Sequence, residues 1–390
     1  MAQPTLAARF PSFLLGLAVL LPYNVVVTAI DFFRVKFGRE ETRMLEHAFV
    51  IAYQLLNVSS LAAVLARRKA PPRSALITGL LAYVLLTLLA LYGPALWTTV
   101  AAVGLLGLGD AVVSVGAYGA AAARPLATEA VSAGNGASGA VVSALRILTK
   151  LVLRQNADGV RTSTVLFACL TVAVLLAAAV VAWRERAPEP PPEEGGLEFQ
   201  DLTAAAAAED DEGRPGEDEM AEVAPPPPPP LSTMAVARLV RIQGVQVTLT
   251  FWATLACFPG LLAAIPSSST HMNETGWFTV LLIAAFNFGD LFGRCLPAPF
   301  RRHTTIIVSA RFLAFPVLIY FCTVLTIDVL AYCVLAMLGI TNGGCATVSM
   351  ATGPTMVPAA SRQRAATVMV AFLTAGLTLG VTTGYALSNW

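Results

Sequence analysis

The chain has 390 residues, of which 56% are apolar and only 13% are charged. A soluble domain carries about 25% charged residues, so this composition excludes a large soluble protein and favours a membrane protein with several spans. The net charge of +1 hides an asymmetry, because residues 184–231 hold 14 of the 24 acidic residues and the rest of the chain has 22 basic against 10 acidic residues.

Eleven apolar stretches are long enough to cross a bilayer as helices, since a helical span needs ~20 residues. The sequence therefore predicts an all-α membrane protein with eleven transmembrane helices. In chain order the predicted spans are 12–33, 45–66, 74–92, 96–123, 131–153, 162–183, 235–264, 275–298, 304–325, 327–353 and 364–388.

The basic residues at the ends of these spans predict the orientation. With the N-terminus in the cytosol, fourteen basic residues fall at the inner ends and six at the outer ends. Because the number of spans is odd, the C-terminus, Ser388-Asn389-Trp390, is then extracytosolic. Basic residues that flank apolar spans indicate contact with a lipid bilayer and do not indicate a nucleic-acid partner.

The first span carries polar residues in its middle. Tyr23 and Asn24 follow Pro22, which leaves one carbonyl of the helix without its usual donor. Asn24 either satisfies that carbonyl locally or faces a ligand together with Tyr23. Asp31 lies further along the same span, and Gln54 is a single polar residue in the second span that forms an interhelical hydrogen bond or contacts a substrate.

Asp110 lies in the middle of the fourth span, in a glycine-rich stretch where helices can approach closely. It either pairs with the backbone or with an embedded base such as Arg146 in the fifth span, or it belongs to a substrate or ion pathway. Lys150, one turn beyond Arg146, is close enough to the outer surface to reach it. Ser114 is a single polar residue, like Gln54, and has the same two explanations.

Residues 187–231 differ in kind from the spans. They contain an alanine run, acidic clusters and six consecutive prolines at 225–230. Such a segment cannot bury enough apolar surface to offset its ordering entropy. We therefore predict a disordered cytosolic linker, a spacer or a docking segment, between a six-helix bundle at 1–186 and a five-helix bundle at 232–390.

The eighth span holds the most informative pair of residues, Asp290 and Arg294. A charge at bilayer depth is energetically costly and marks a substrate or ion pathway by default. At positions i and i+4 the carboxylate and the guanidinium lie on one helix face and can pair there. Asn287 shares that face. In the ninth span, Arg311 is close enough to the cytosolic end to reach the surface.

Cysteines and histidines give no indication of a metal site. The six cysteines all fall inside predicted spans without a CxxC pair, and the chain has only three histidines. A disulfide framework or a zinc site is therefore not expected, and we predict neither a cofactor nor a metal.

Several motifs together resemble one family, the equilibrative nucleoside transporters, over nearly the whole chain apart from the linker. The stretch from Ser138 to Lys150 and the motif Asp158-Gly159-Val160-Arg161 look most like the plant branch of that family. The other matching motifs are Leu21-Pro22-Tyr23-Asn24, Val247-Thr248-Leu249, Phe258-Pro259-Gly260, Phe286-Asn287 through Asp290 to Gly293-Arg294, Arg311-Phe312, Phe315-Pro316, Thr341-Asn342-Gly343 and Gly353-Pro354.

The resemblance implies a major-facilitator-like bundle that moves nucleosides by alternating access. By motif, Asn287, Asp290 and Arg294 would contact the ribose or shape its site, and Tyr23 and Asn24 would line the same cavity. Ser114 stands where many relatives have a glutamine that contacts the base, so base recognition differs here. An aromatic face, amides and a positioned carboxylate suit a neutral, hydroxyl-rich substrate.

The sequence leaves alternatives open. Within the transporters, the substrate could instead be a nucleobase or an organic cation, and an unpaired acidic residue in the cavity would favour the cation. Gly107-Leu108-Gly109-Asp110 matches a short motif of intramembrane aspartyl proteases, but a second catalytic aspartate would be needed nearby. A non-transporting sensor is the remaining class, and we infer no obligate protein partner.

The sequence does not decide whether transport is facilitative or proton-coupled. Asp31, Asp110 and Asp290 are candidate proton carriers, and Arg146 is a candidate for coupling or gating. Relatives occupy the plasma membrane or the vacuolar membrane, and no address motif in the sequence selects one of them.

Overall fold

The computed structural model describes residues 6–67, 71–124, 126–153, 156–184, 231–257 and 265–388, and the regular secondary structure within them is helical. The α-helices in chain order are α1 (Leu6–Thr28), α2 (Ile30–Phe37), α3 (Arg39–Ala66), α4 (Arg73–Tyr92), α5 (Leu96–Ala121), α6 (Ala127–Val152), α7 (Ala157–Arg184), α8 (Thr233–Leu239), α9 (Arg241–Cys257), α10 (Thr270–Glu274), α11 (Trp277–Cys295), α12 (Ala298–Arg301), α13 (Thr304–Leu325), α14 (Asp328–Thr352) and α15 (Arg362–Ser388). Short 3-10 turns at Gly353–Met356 and Ala359–Ser361 lie between α14 and α15.

Three features of the sequence analysis lie outside the described residues. They are the predicted linker 187–231 apart from its last residue, the motif Phe258-Pro259-Gly260, and the last two residues of the chain.

Each of the eleven predicted spans contains a helix of the structure, and nine of the described helices are long and apolar enough to cross a membrane. The other two predicted spans correspond to α6, which is rich in glycine, serine and other polar residues, and to α8 with α9, of which α9 has 17 residues. The prediction of an all-helical, multi-pass membrane protein is confirmed, and the number eleven stays a prediction.

The first predicted span is not a single helix. It divides at Ala29 into α1 and the short α2. The Thr28 hydroxyl donates to the Asn24 carbonyl oxygen at 2.7 Å, and a threonine that bonds one turn back tends to bend a helix. The Ala29 carbonyl then accepts from the backbone amides of Phe32 and Phe33, so a new helix starts at once. Asp31 therefore lies on α2 and not on the helix that carries Tyr23.

The outward faces of the long helices are apolar. Large side chains such as Leu85, Trp183 and Leu313 are 71%, 74% and 75% exposed. A soluble protein would not leave contiguous apolar faces of this kind in water. A lipid environment explains them, because hydrocarbon tails are as apolar as these side chains.

The helices pack in two groups that meet along α6 and α11. In the first group α6 packs on α1, α3 and α4 pack on α5, and α4 packs on α7, while in the second α9 packs on α15 and α11 packs on α14. A larger apolar core includes residues of both groups, for example Leu80 and Val247. A smaller core lies within the second group between α11, α13 and α14 and includes Leu282, Ile319 and Leu335.

Glycines set the close crossing of α11 and α14. A Cβ atom placed on Gly293 would overlap the backbone of Ile340, and one on Gly343 would overlap the backbone of Asp290. Small residues let two helix backbones approach in this way where lipid supplies no hydrophobic drive. The crossing brings the backbone of α14 directly against the residues that surround Asp290.

Lys36 joins α2 to the C-terminal end of α4. Its Nζ donates to the carbonyl oxygens of Leu91 at 3.0 Å and Gly93 at 2.5 Å, and it lies 4.7 Å from the centre of the Phe37 ring. A cation at a helix C-terminus also interacts favourably with the helix dipole. Burial among these groups lowers the pKa of the Lys36 ammonium.

Candidate functional site

Asp290 and Arg294 form a buried ion pair on α11, as their spacing predicts. Arg294 Nε donates to Asp290 Oδ2 at 2.7 Å, and the two residues are 7% and 5% exposed. A buried ion pair of this kind is stable only when its remaining donors and acceptors are also satisfied. The neighbours of the pair therefore decide what the site can do.

A chain of neutral side chains links Asp290 to a second buried arginine. Asn342 Nδ2 of α14 donates to Asp290 Oδ1 at 2.7 Å, and its Oδ1 accepts from the Thr254 hydroxyl of α9 at 2.7 Å. Arg311 Nη2 of α13 donates to the same Thr254 hydroxyl at 2.8 Å. Four helices of the second group thus meet in one polar network.

The expectation that Arg311 reaches the cytosolic surface is wrong. Arg311 is 2% exposed, and its guanidinium donates to the carbonyl oxygens of Thr250 at 2.9 Å and Leu338 at 3.3 Å. Backbone carbonyls of α9 and α14 hold the side chain inside the bundle, so it cannot extend toward solvent. The network consequently contains two guanidinium groups and one carboxylate.

The same face of α11 contacts α6 across the meeting of the two helix groups. Arg294 Nη1 donates to the Ser132 hydroxyl at 2.9 Å, and Asn287 Nδ2 donates to the Ser143 hydroxyl at 2.8 Å. Ser132 also shares a hydrogen bond of 2.7 Å with Thr347 of α14. The polar groups predicted to contact a substrate are therefore held by α6 in this structure.

Two glycines of α6 make this close contact possible. A Cβ atom on Gly136 would lie 2.6 Å from Arg294 Cδ, and one on Gly139 would lie 2.8 Å from Asn287 Oδ1. Distances this short force a neighbour to move. The α6–α11 contact, defined here by Ser132, Gly136, Gly139 and Ser143 on one side, leaves no space beside the Asp290–Arg294 pair.

Asn24 binds α6 rather than its own helix. Its Nδ2 donates to the Ser138 hydroxyl at 2.8 Å, and that hydroxyl donates to the Asn135 carbonyl oxygen at 2.7 Å. The local explanation, in which Asn24 satisfies the carbonyl freed by Pro22, is therefore wrong. The close packing of α1 on α6 brings Ser138 within reach.

Asp110 is held by neutral donors. Its carboxylate accepts from Asn57 Nδ2 at 2.6 Å, from the Ser114 hydroxyl at 3.1 Å and from the Tyr83 hydroxyl at 3.4 Å. It is 7% exposed, and no lysine or arginine pairs with it in the part of the chain that the structure describes.

Arg146 binds a different acid from the one expected. The suggested pairing of Asp110 with Arg146 is wrong, because Arg146 forms its ion pair with Asp31 of α2. Asp31 also lies 3.5 Å from Arg34. The α1–α2 break at Ala29 positions Asp31 for this contact, which the sequence pattern does not reveal.

Aromatic side chains lie between Asp110 and the first helix. The rings of Tyr23 and Tyr53 are 4.4 Å apart between their centres, and Tyr53 interacts electrostatically with Asp110. Gln54 is half-buried, and its side-chain oxygen has no hydrogen-bond partner among the described residues. Ser114 bonds Asp110 within its own helix, so it is not the interhelical contact suggested by its isolation.

The two ends of α6 also bind the second helix group. Near its N-terminus, Glu129 forms an ion pair with Arg301 of α12. Near its C-terminus, Lys150 Nζ donates to the Thr275 carbonyl oxygen at 2.6 Å and lies 5.3 Å from the centre of a Trp277 ring. The groups are thus joined at both ends as well as in the middle.

The sequence analysis did not identify several residues of the hydrogen-bond networks around Asp290 and Asp110. Asn57 lies inside the second predicted span and was not singled out, and Asn342 appeared only as part of a motif. Both residues place an amide side chain inside an apolar helix. Such an amide is a candidate for a hydrogen bond to another helix, and this could have identified them. The other members that were missed are Tyr83, Tyr118, Ser132, Asn135, Thr254 and Thr347.

The arrangement can bind polar groups but gives no indication of a metal. Within the described ranges, no three histidine, cysteine, aspartate or glutamate residues lie together as a cation site. Carboxylate, guanidinium, amide and hydroxyl groups instead offer both donors and acceptors. Such a set suits a ligand with many hydroxyl groups.

Comparison of the fold with solved structures gives a known architecture. The E. coli fucose:proton symporter FucP superposes with a TM-score of 0.54 at 12% identity over 98% of this chain and 92% of that one. The major facilitator superfamily proton:xylose symporter XylE superposes with a TM-score of 0.56 at 11% identity over 97% and 86%. The chain therefore has a major-facilitator-like fold.

Comparison of the sequence gives the family. The profile described as "Nucleoside transporter" matches residues 100–388. The chain is 30% identical to equilibrative nucleotide transporter 1 of Arabidopsis thaliana, over 94% of this chain and 83% of that protein. It is 25% identical to human equilibrative nucleoside transporter 4, over 97% and 82%. The resemblance carried by the motifs is thus confirmed, and the chain belongs to the nucleoside transporter family.

Proposed function

We propose that this protein carries nucleosides across a membrane by alternating access. The observation that carries the proposal is the Asp290–Arg294 pair, buried where α11 meets α6 between the two helix groups. A carboxylate accepts from ribose hydroxyls, and a guanidinium donates to the ribose oxygens. Because the two charges compensate each other, the pair suits a neutral substrate.

The hydrogen bonds of the site suggest how binding is coupled to movement. Arg294 and Asn287 now donate to Ser132 and Ser143 of α6. A ribose must replace these serine hydroxyls, and the contact with Gly136 leaves no room for it. Substrate binding therefore requires α6 and α11 to separate, with substrate oxygens taking over the donors that separation frees.

We assign the remaining predicted site residues to the cavity that would open when α6 and α11 separate. Tyr23 offers an aromatic face for the base and Asn24 offers an amide, as the family resemblance implies. Gln54 and Ser114 are assigned to the same cavity on the side of the first helix group. We assign Arg146 and its partner Asp31 to gating, because their ion pair joins α2 to α6 beside the end at which Lys150 binds the second group.

We further propose eleven transmembrane helices with the N-terminus in the cytosol and the C-terminus outside. The helices observed in all eleven predicted spans and the excess of basic residues at the inner ends support this topology. Six of the spans belong to residues 1–186 and five to residues 232–390, with the linker 187–231 in the cytosol. The plasma membrane or the vacuolar membrane is the proposed location.

Asp110 is the proposed site of proton coupling. Its partners Asn57, Ser114 and Tyr83 are neutral, so protonation of Asp110 leaves no opposite charge without a partner. The solved neighbours FucP and XylE are described as proton symporters. Their shared fold supports proton coupling by analogy only.

A second candidate substrate is an organic cation. The observation in its favour is again Asp110, which has no basic partner in the described chain and lies near the rings of Tyr53 and Tyr83. A carboxylate with aromatic neighbours can bind a cation. A nucleobase is a further possibility, since it would use the aromatic faces without the ribose contacts. A protease is not proposed, because the family consists of transporters and Asp110 binds amide and hydroxyl groups.

The test is uptake of labelled adenosine and uridine into proteoliposomes, with and without an inward proton gradient. Saturable uptake in the wild type that is lost in Asp290→Asn supports the nucleoside carrier, and acceleration by the gradient makes it a symporter. Uptake of a labelled organic cation but of neither nucleoside would replace the first proposal with the second. Folded protein that moves neither substrate class, nor a nucleobase, would contradict transport and favour a sensor.

A further inference from the structure

The polar face of α6 contains an amide whose hydrogen bonding is incomplete. Ser132, Asn135 and Ser138 follow one another at three-residue spacing and so lie on one side of the helix. All three are buried, and Asn135 is 7% exposed. These three side chains form one surface, called here the serine–asparagine–serine row. Its middle member, Asn135, is the one with an unsatisfied hydrogen-bonding atom.

The outer two members of the row reach the residues already assigned to the substrate. The Ser132 hydroxyl accepts from Arg294 Nη1 at 2.9 Å. The Ser138 hydroxyl accepts from Asn24 Nδ2 at 2.8 Å. Asn135 therefore lies between the proposed ribose contacts of the second helix group and the proposed cavity residue of α1.

Among the described residues, the Asn135 side chain has a single hydrogen-bond partner. Its Nδ2 donates to the Tyr118 hydroxyl at 3.0 Å. Its Oδ1 is buried and accepts no hydrogen bond from any residue that the structure describes. Rotating the amide by half a turn would exchange the two atoms, and one of them would still have no partner. A buried polar atom without a partner is uncommon and calls for an explanation.

The surroundings of Asn135 narrow the choice of partner. Tyr118 interacts electrostatically with both Arg294 and Asp290, so the amide belongs to the same polar region as the ion pair. The neighbouring Gly136 packs against Arg294. Any group that enters when α6 leaves α11 thus passes beside the free amide oxygen. A buried water molecule is the competing partner, since waters commonly satisfy such atoms.

We propose that Asn135 is a substrate-binding residue whose side-chain oxygen accepts a hydrogen bond from an O–H or N–H group of the nucleoside. The inference rests on the proposed nucleoside transport and adds a specificity-determining contact on α6 to those on α1 and α11. The donor is either a ribose hydroxyl or the exocyclic amine of the base, which share this chemistry.

The experiment measures competition against labelled adenosine uptake in proteoliposomes, for wild type and Asn135→Ala. The competitors are adenosine, analogues that each lack one ribose hydroxyl, and purine riboside, which lacks the exocyclic amine. We expect the analogue that lacks the donor to Asn135 to bind the wild type about tenfold more weakly than adenosine, because one hydrogen bond is lost. In Asn135→Ala we expect that analogue and adenosine to bind equally. The analogue concerned tells whether the donor is on the ribose or on the base.

Controls keep the proposal falsifiable. Thr87→Val removes a fully buried hydroxyl on α4 that likewise has no hydrogen-bond partner among the described residues, and this variant should leave the ratios unchanged. Asn135→Ser, which keeps a hydroxyl for Tyr118, replaces the alanine variant if that variant does not fold. Equal analogue discrimination in wild type and variant would overturn the proposal and assign the amide to a buried water. So would a wild type that discriminates against no analogue, whereas a wild type that moves no nucleoside would overturn the proposed function itself.

Discussion

Two aspartates, Asp110 and Asp290, are equally buried in helices that are long and apolar enough to cross a membrane, and each is 7% exposed. Asp290 binds a guanidinium directly and a second one through Asn342 and Thr254. Asp110 binds only amide and hydroxyl donors among the described residues. The two helix groups thus stabilise a buried carboxylate in different ways, the second with charged partners and the first with neutral ones.

The difference assigns different roles to the two acids. Protonating Asp290 would leave Arg294 buried without a counter-charge, which is strongly unfavourable. Protonating Asp110 removes a buried charge and leaves no partner ion behind. The second group therefore holds a fixed dipolar site suited to a neutral ligand, while the first holds a carboxylate that can change its charge.

The largest effect is expected for Asp290→Asn. Losing the carboxylate leaves Arg294 uncompensated, which should destabilise the protein by about 3–5 kcal/mol and abolish saturable nucleoside uptake. Thermal unfolding of the purified protein and uptake at matched protein density measure the two effects. Adding Arg294→Gln to the variant should recover most of the stability but not the uptake. Wild-type uptake by Asp290→Asn alone would show that Asp290 does not belong to the substrate site.

Gly136→Ala should have the next largest effect. The new methyl group would lie 2.6 Å from Arg294 Cδ, and such overpacking typically costs about 1–3 kcal/mol. We expect the α6–α11 contact to open and the maximal rate of uptake to fall severalfold. Gly104→Ala of α5 is the matched control, because the nearest atom to its methyl group would be in the flexible side chain of Leu56 at 3.1 Å, and its contacts with Ala52 at 3.5 and 3.6 Å are ordinary van der Waals distances. Equal rates in the two variants would show that α6 need not close on Arg294.

Thr254→Val tests the neutral bridge between the two arginines. The valine leaves Asn342 Oδ1 without its donor, which costs about 1–3 kcal/mol, and leaves Arg311 Nη2 with only its longer hydrogen bond to the Leu338 carbonyl oxygen at 3.3 Å. Apparent affinity for adenosine should fall because Asn342 no longer fixes the Asp290 carboxylate. Thr250→Val is the control, since its hydroxyl bonds only within α9. Indistinguishable affinity in the two variants would limit the site to Asp290 and Arg294.

Asp110→Asn should have the smallest effect on folding and basal uptake. Asparagine keeps the shape of the side chain and can still accept from Asn57, and no cation loses its partner. We expect uptake without a gradient to stay within about twofold of wild type, while acceleration by an inward proton gradient disappears. A variant that is still accelerated would transfer the coupling role to Asp31 or Asp290.

The sequence predicted the helices well because most of them are long apolar segments, which a membrane protein forms as helices. It predicted the Asp290–Arg294 pair because both residues lie on one helix, where spacing fixes geometry. It failed for contacts between helices. Arg311 was expected at the surface and Asp110 beside Arg146, yet the depth of Arg311 depends on α9 and α14, and Arg146 finds Asp31 only because α1 ends at Thr28.

Asn24 is a further residue whose partner on another helix could not be assigned from the sequence. Its position after Pro22 suggested a local role, and only the packing of α1 on α6 shows that Ser138 is its partner. Residues with several chemically reasonable partners cannot be assigned from spacing when those partners lie on other helices. The contact that was predicted correctly, between Asp290 and Arg294, joins two residues that the chain itself places one turn apart.

The contacts at the two ends of α6 respond differently to the surrounding solution. Glu129 and Arg301 form a partly exposed pair of full charges, and dissolved salt screens such a pair over a Debye length of about 8 Å at physiological ionic strength. Lys150 is held by a carbonyl oxygen and an aromatic ring, which carry no net charge to screen. Rising ionic strength therefore weakens the contact at Glu129 more than the contact at Lys150, so added salt loosens the two ends of α6 unequally.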